Sequence, residues 1–167
     1  MIEKYLRIAT PEDVPILVKF ARHFHEASPY KLLAFDAGKT KEAFHKVTSG
    51  MLYDGVAIVA LHDDKPIGFI AGMASEPLFS RARISMELGW WIEPDYRGTK
   101  ASVLIYSAYE DWAKRVKCDA IQGAYLPGVS PELDGFYKKR GYLQVESSYL
   151  KVLKWQSSLP SLLSSQQ

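Results

Sequence analysis

The stretch from Glu87 to Trp112, ELGWWIEPDYRGTKASVLIYSAYEDW, carries an apolar extended segment through one turn into a long amphipathic helix, and the rest of the chain has to be arranged around that passage. The segment Ile84 to Ile92 is rich in β-formers and too apolar for an exposed loop, so it reads as a strand largely covered on both faces. Glu93-Pro94-Asp95 stops it. Beyond Gly98, the residues Ala101, Leu104, Ile105, Ala108, Trp112 and Val116 recur at helical spacing and give one apolar face about four turns long. Thr99 is the expected N-cap. A helix that starts in this way collects unpaired backbone N–H groups and the positive end of its dipole at one place. Arg97, Gly98, Lys100, Ala101 and Ser102 surround that end, two of them cationic and the others small, so the pattern suits an anion, most naturally a phosphate.

At 167 residues the chain suits one domain that buries roughly 70% of its unfolded surface. Charged residues make up 24% and the net charge is only +2, which argues for an ordinary globular protein and gives no general case for nucleic-acid binding. Cys118 is the single cysteine, so no intrachain disulfide forms and an intracellular setting is expected. The opening MIEKYLRIATPED lacks the apolar core of a signal peptide, and no run approaches the ~20 apolar residues of a membrane span. The expected location is the cytoplasm, with no membrane contact.

Taken in order, Tyr5 to Ala9 reads as a short strand, and Thr10-Pro11-Glu12-Asp13 as a helix start with proline and two acids in the first turn. Val14, Leu17, Ala21 and Phe24 carry a buried stripe as far as Ser28-Pro29. A second helix is expected from about Thr40 to Met51. Gly55 to Leu61 and Pro66 to Met73 read as a hairpin around His62-Asp63-Asp64-Lys65, followed by a loop from Glu76 to Arg81. After the central strand and helix come a strand from Ala120 to Ala124, a loop with Pro127 and Gly128, a helix from Pro131 to about Arg140 and a last strand from Tyr142 to Leu153. The early strands are expected to pair antiparallel, while the later strand-helix-strand passage implies a parallel crossover. Residues 155–167 are polar without a period and read as a flexible tail.

Several segments carry a resemblance. RIATPEDVPIL, AIVALHDDKPIGFIAG, IEPDYRGTKAS and FYKKRGY, in this succession, resemble the first strand and helix, the strand 2 and 3 hairpin, the pyrophosphate loop and the late F-Y-x-K-x-G-F signature of the GNAT superfamily of acyl-CoA-dependent N-acyltransferases. The resemblance implies an α/β fold: a mixed, mostly antiparallel central sheet with helices on both faces and a splayed cleft between strands 4 and 5, as a single domain over 1–154. It implies that acetyl-CoA lies in that cleft with its pyrophosphate on Arg97, Gly98, Thr99, Lys100, Ala101 and Ser102. The family loop usually reads Arg/Gln-x-x-Gly-x-Gly/Ala; here Lys100 and Ser102 stand at the glycine positions and Gly98 matches a frequent second-position glycine. A lysine at that position requires ordinary helical backbone angles and a side chain that swings away or pairs with phosphate.

Acyl transfer to an amine requires an uncharged nucleophile, stabilisation of the oxyanion and a proton for the departing thiolate. The resemblance places Tyr137 near the thioester sulfur as general acid; the alternative is an aromatic that only packs. Glu87 is a candidate base, direct or through water, because a carboxylate in an apolar strand can be tuned for it; it reads equally as an outward-facing residue or an ion-pair partner. A backbone N–H at Trp91 or Ile92 would meet the oxyanion. Ser130 stands where relatives carry an asparagine that contacts the cofactor arm, or it simply caps the helix begun by Pro131. The histidines form no metal site: His23 and His25 are two apart on a helix and diverge, and His45 and His62 lie elsewhere.

The leading expectation is an N-acetyltransferase that moves an acetyl group from acetyl-CoA to a primary amine by direct transfer in a ternary complex, without a metal. Two others stay open: a GNAT-like enzyme that modifies a macromolecule through a basic margin of Lys31, Arg81, Arg83, Lys138, Lys139 and Arg140, and a non-catalytic binding module on the same fold. The acceptor is not specified. Dimerisation is common in the resembled family, and no patch in the sequence establishes a homodimer.

Overall fold

The computed structural model describes residues 5–126 and 128–153, so the expected tail over 155–167 and Pro127 lie outside the described residues. The described residues form two compact units, one over 5–24 and 36–124 and the other over 25–35, 125–126 and 128–153.

The first unit is built on a five-stranded sheet in the order β1-β2-β3-β4-β5, with β1 Leu6–Ile8, β2 Gly55–His62, β3 Lys65–Ser75, β4 Ile84–Ile92 and β5 Ala120–Gln122. The first four strands pair antiparallel, and β5 joins β4 in parallel after a helical crossover, as the order of elements requires. The β2–β3 hairpin turns on two residues, Asp63 at φ 46° and Asp64 at φ 61°, the left-handed pair that matches the twist of a two-residue hairpin.

The helices are α1 Val14–Ala27, α2 Ala37–Thr48, α3 Lys100–Arg115 and α4 Glu132–Lys139. In α1 the buried stripe is Val14, Leu17 and Phe20, with Ala21 and Phe24 partly buried beside it. Together with Phe44 of α2 it covers Val59, Phe69 and Trp91 on one face of the sheet. Helix α2 starts three residues before the expected Thr40, because the Asp36 side chain accepts from the Lys39 N–H at 2.9 Å and caps the helix there.

Helix α3 covers the other face. Its buried side is Ala101, Ser102, Ile105, Tyr106, Tyr109, Trp112 and Ala113, rotated from the expected stripe so that Leu104, Ala108 and Val116 lie at its margin. Tyr109 stacks on Trp112 and fits over β3 only because position 72 is glycine: a Cβ there would lie 2.4 Å from the Tyr109 ring. Lys117, at φ 60°, ends α3 by letting the Cys118 N–H reach back to the Ala113 carbonyl at 2.9 Å.

In the second unit, the Ser28 hydroxyl donates to the His25 carbonyl and accepts from the Tyr30 N–H, which starts a single 3-10 turn over Pro29–Leu32. Helix α4 carries Tyr137, packed among Tyr125, Phe136 and Tyr142. The strand expected from Tyr142 to Leu153 is not formed: the segment pairs with no strand among the described residues, and Leu143, Val145, Tyr149 and Leu153 are exposed. Alternating β-formers make a strand only where a neighbouring edge receives them.

Candidate active site

The passage from β4 into α3 builds the site. Arg83 and Asp119 tie β4 to β5 at their starts, with Arg83 N donating to Asp119 Oδ2 and Asp119 N donating to the Arg83 carbonyl, both at 2.7 Å. The parallel ladder then pairs Ile84, Ser85 and Met86 with Ala120, Ile121 and Gln122, and stops. From Glu87 to Ile92, β4 has β3 as its only strand neighbour among the described residues. At the same place β4 carries a bulge: Gly89 pairs with Ala71 and Glu87 with Gly72, so Leu88 is the extra residue and is exposed. A bulge bends its strand and increases its twist. The expected splay between strands 4 and 5 is therefore present, and it opens at Glu87. Strand β5 ends at Gln122 rather than Ala124, which is part of the same opening.

Register also assigns faces. Cross-strand partners share a face, so Glu87, opposite Gly72, belongs to the α3 side, as does Trp90, whose ring lies 5.0 Å from that of Tyr106. Trp91, opposite Phe69, belongs to the α1 and α2 side. Glu87 is partly exposed and takes part in contacts of its own, so it is neither a plain surface residue nor sealed in the core.

Beyond Ile92, Pro94–Tyr96 makes one 3-10 turn, Arg97 is extended and Gly98 takes φ 73°. A Cβ at Gly98 would meet nothing within 4 Å, so glycine is used there for its backbone angle and not for lack of room. Thr99 stands at the N-cap of α3 as expected but does not cap: its hydroxyl turns back and donates to the Tyr96 carbonyl at 2.7 Å. Ser102, three residues on, donates to the Thr99 carbonyl at 2.7 Å. No side-chain oxygen caps the first turn of α3.

The cations beside this turn are held by aromatic rings. Arg97 lies over the Trp91 ring at 4.8 Å and its Nε donates to the Ile92 carbonyl at 3.1 Å. Lys100 is the first residue of α3, and its Nζ lies 5.3 Å from the centre of the Tyr5 ring. Its backbone is helical and its side chain swings away, which is the condition a lysine at that position had to meet. Residues 97–102 therefore fit a pyrophosphate.

Tyr137 is buried, and its ring meets those of Tyr125, Phe136 and Tyr142 in its own unit. Ser130 is corrected in one respect: α4 begins at Glu132 with Pro131 at its N-cap and no side-chain cap, so the Ser130 hydroxyl does not cap it. The main chain serves instead, the Ser130 carbonyl accepting from the Leu133 N–H at 3.1 Å. Cys118 lies just before the paired end of β5, the opposite end from the opening at Glu87. Among the described residues no cluster of three His, Cys, Asp or Glu side chains could hold a metal, and no helix is long and apolar enough to cross a membrane.

One group escaped the sequence reading. His23 Nδ1 lies 2.9 Å from Glu93 Oε1, Trp91 Nε1 donates to Glu93 Oε2 at 3.3 Å, and the His23 and Trp91 rings meet edge-on at 6.2 Å. The signal was there in part: His23 is three residues past Phe20 on the covered face of α1, and Glu93 is two past Trp91.

Comparison with known proteins gives a family to this chain, in which a strand parts from its neighbour and runs into an uncapped, cation-flanked helix start. Residues 19–142 match the model of the acetyltransferase (GNAT) family, and the chain belongs to that family. Among solved structures, a point mutant of the BH1408 protein from Bacillus halodurans superposes at TM-score 0.71 with 17% identity, over 89% of this chain and 99% of that one. An aminoglycoside acetyltransferase from an uncultured soil metagenomic sample gives TM-score 0.66 at 16% identity, over 91% and 99%. A protein described as a predicted acetyltransferase with acetyl-CoA, from Clostridium acetobutylicum, gives 0.68 at 18%, over 88% and 94%. At these identities the likeness establishes the fold. No curated protein matches.

Proposed function

We propose that residues 1–154 act as one N-acetyltransferase domain that moves an acetyl group from acetyl-CoA to a primary amine by direct transfer in a ternary complex. The observation that carries this reading is the end of the β4–β5 ladder at Met86 and Gln122, immediately before β4 runs into the uncapped start of α3. Acetyl-CoA, as a substrate, would lie along the open edge with its pyrophosphate on the N–H groups at Gly98 to Ser102, the backbone of Lys100 included, assisted by the Arg97 side chain. The structural neighbour with acetyl-CoA supports that choice of substrate. A backbone N–H at Trp91 or Ile92 would donate to the oxyanion.

In this reading Glu87 receives a proton of the amine through water from the α3 side, Tyr137 gives a proton to the departing thiolate, and Ser130 contacts the pantetheine arm. The place of Cys118, at the far end of β5, supports direct transfer over a covalent enzyme intermediate. A cytoplasmic location accords with a reaction that draws on acetyl-CoA.

Calorimetric titration with acetyl-CoA and thiol release over a panel of primary amines test the proposal. Binding together with amine-dependent release supports it. No heat at millimolar acetyl-CoA sinks it, and binding without turnover on any small amine, peptide or nucleic acid makes the protein a non-catalytic module. Tyr137→Phe is expected to lower kcat at least about 100-fold with little change in KM, as removal of a general acid should; unchanged turnover removes Tyr137 from that role.

A further inference from the structure

An alkylammonium must lose two protons on its way to an amide, one before attack and one as the adduct collapses. Glu87 faces the α3 side of β4 and can serve one of these. On the opposite side, at the end of β4, His23 is aimed by a carboxylate. Glu93 accepts through both oxygens, Oε1 from His23 Nδ1 and Oε2 from the Trp91 indole. A carboxylate can only accept, so the ring hydrogen belongs on Nδ1, and the Nε2 lone pair, without a hydrogen bond among the described residues, is left for a proton. Both side chains are partly open, His23 at 31% and Glu93 at 24% exposure.

Resting on the acetyltransferase reading, we propose that His23, oriented by Glu93, is the catalytic base that takes the first proton from the acceptor ammonium. The proton moves from the ammonium nitrogen to His23 Nε2, and the freed lone pair attacks the thioester carbon. The C–N bond forms, the adduct nitrogen gives its second proton to Glu87 through water, the C–S bond breaks and the thiolate leaves with a proton from Tyr137; the proton held by Glu87 restores Tyr137 by way of solvent, and His23 returns its own proton to solvent. Glu93 is a positioning residue, and Trp91 holds it in place. The same strand end would then supply the backbone donor for the oxyanion and the carboxylate that aims the base, with the amine entering from the α1 and α2 side. Glu93 faces the imidazole, Arg97 lies across the Trp91 ring, and along α1 Lys19 comes one turn earlier and Glu26 one turn later.

The test is His23→Gln, measured on a simple primary amine across pH with acetyl-CoA affinity as a control. The variant should bind acetyl-CoA as the parent does, and its kcat/KM should fall about 100-fold at pH 7. The defect should shrink as pH approaches the pKa of the amine, near ~10, where the free base forms without help. A defect equal at all pH values, or none at pH 7, overturns the role. Imidazole nitrogen shifts of the parent supply a readout that needs no turnover: Nδ1–H supports the dyad and Nε2–H overturns it. A parent that binds acetyl-CoA and transfers to no amine overturns the acetyltransferase reading and this role with it. A parent with normal turnover matched by the variant overturns this role alone.

Discussion

Two helices of the first unit begin with the same residue in the same backbone shape and end up with opposite electrostatics. Thr10, before the turn that leads into α1, and Thr99, before α3, are both extended, at φ −114°, ψ 169° and φ −73°, ψ 166°. The difference lies three residues on. Asp13 reaches back so that its Oδ2 accepts from the Thr10 N–H at 2.8 Å, and Arg7 clamps the same carboxylate with both terminal nitrogens, Nη2 to Oδ1 at 2.7 Å. That helix start is neutralised and closed. At α3 the third residue is Ser102, which has no charge and turns its hydroxyl to the Thr99 carbonyl. The first turn of α3 holds no acid, and its N–H groups face a place flanked by Arg97 and Lys100. The residue at the third helical position decides whether a helix start holds the fold together or waits for an external anion.

Converting one start into the other gives the largest expected effect. Ser102→Asp would place a carboxylate where the pyrophosphate is proposed to sit and let it occupy the first-turn N–H groups. Acetyl-CoA affinity should fall about 100-fold, since a charge-assisted contact is replaced by like-charge repulsion. Calorimetry reads the loss, and thermal unfolding measures separately what a carboxylate costs at this buried position. Unchanged affinity would mean that the cofactor does not use this helix start.

The reverse experiment opens the closed start. Asp13→Ala should cost about 2 kcal/mol of stability, the range of a lost cap together with a charge-assisted hydrogen bond, and leave acetyl-CoA affinity alone. The Arg7 hydrogen bond, the largest cause, holds the Asp13 carboxyl below its usual pKa against the opposing effect of burial. A carboxyl lowered by folding contributes stability that is present above the ordinary carboxylate range and is lost as pH falls through the folded value. The parent should therefore lose stability on acidification more steeply than Asp13→Ala in denaturant titrations at successive pH values. Equal slopes would remove the Arg7–Asp13 pair from the acid response.

What the sequence discloses follows the same division between local and distant causes. The hairpin at Asp63-Asp64, the start of α1 and the turn at Arg97 to Ser102 are legible because the residues that determine them are neighbours. The bulge at Leu88 was not, since one extra residue in an apolar strand is visible only against its partner β3. For the same reason the β-formers of 142–153 read as a strand although among the described residues that segment pairs with none, and helical spacing picks out Leu104 and Ala108 where the packing of α3 uses Tyr106 and Tyr109. His23 and Glu93 are 70 residues apart, and no spacing rule joins them. Sequence pattern identifies the turn proposed to receive the cofactor, while His23 and Glu93, proposed to act on the acceptor, meet only through a contact between elements.

The smallest effect is expected where the sequence departs most visibly from the family loop. Lys100 opens α3 on helical backbone, and the left-handed angle in the turn falls on Gly98, at φ 73°. Glycine at position 100 therefore has no strained conformation to relieve. Lys100→Gly should change acetyl-CoA affinity by no more than about threefold, well under the 1.4 kcal/mol of a tenfold change. It should also cost about 0.5 kcal/mol through the lost contact with the Tyr5 ring at 5.3 Å. Affinity measured at low and high salt separates the ways this could fail. A tenfold loss that disappears in high salt would mean that the ammonium leaves Tyr5 to pair with phosphate, and a tenfold gain at either salt would mean that the side chain obstructs the approach to the helix start. Affinity unchanged at both would establish that this turn tolerates a lysine because the backbone angle it needs is supplied two residues earlier.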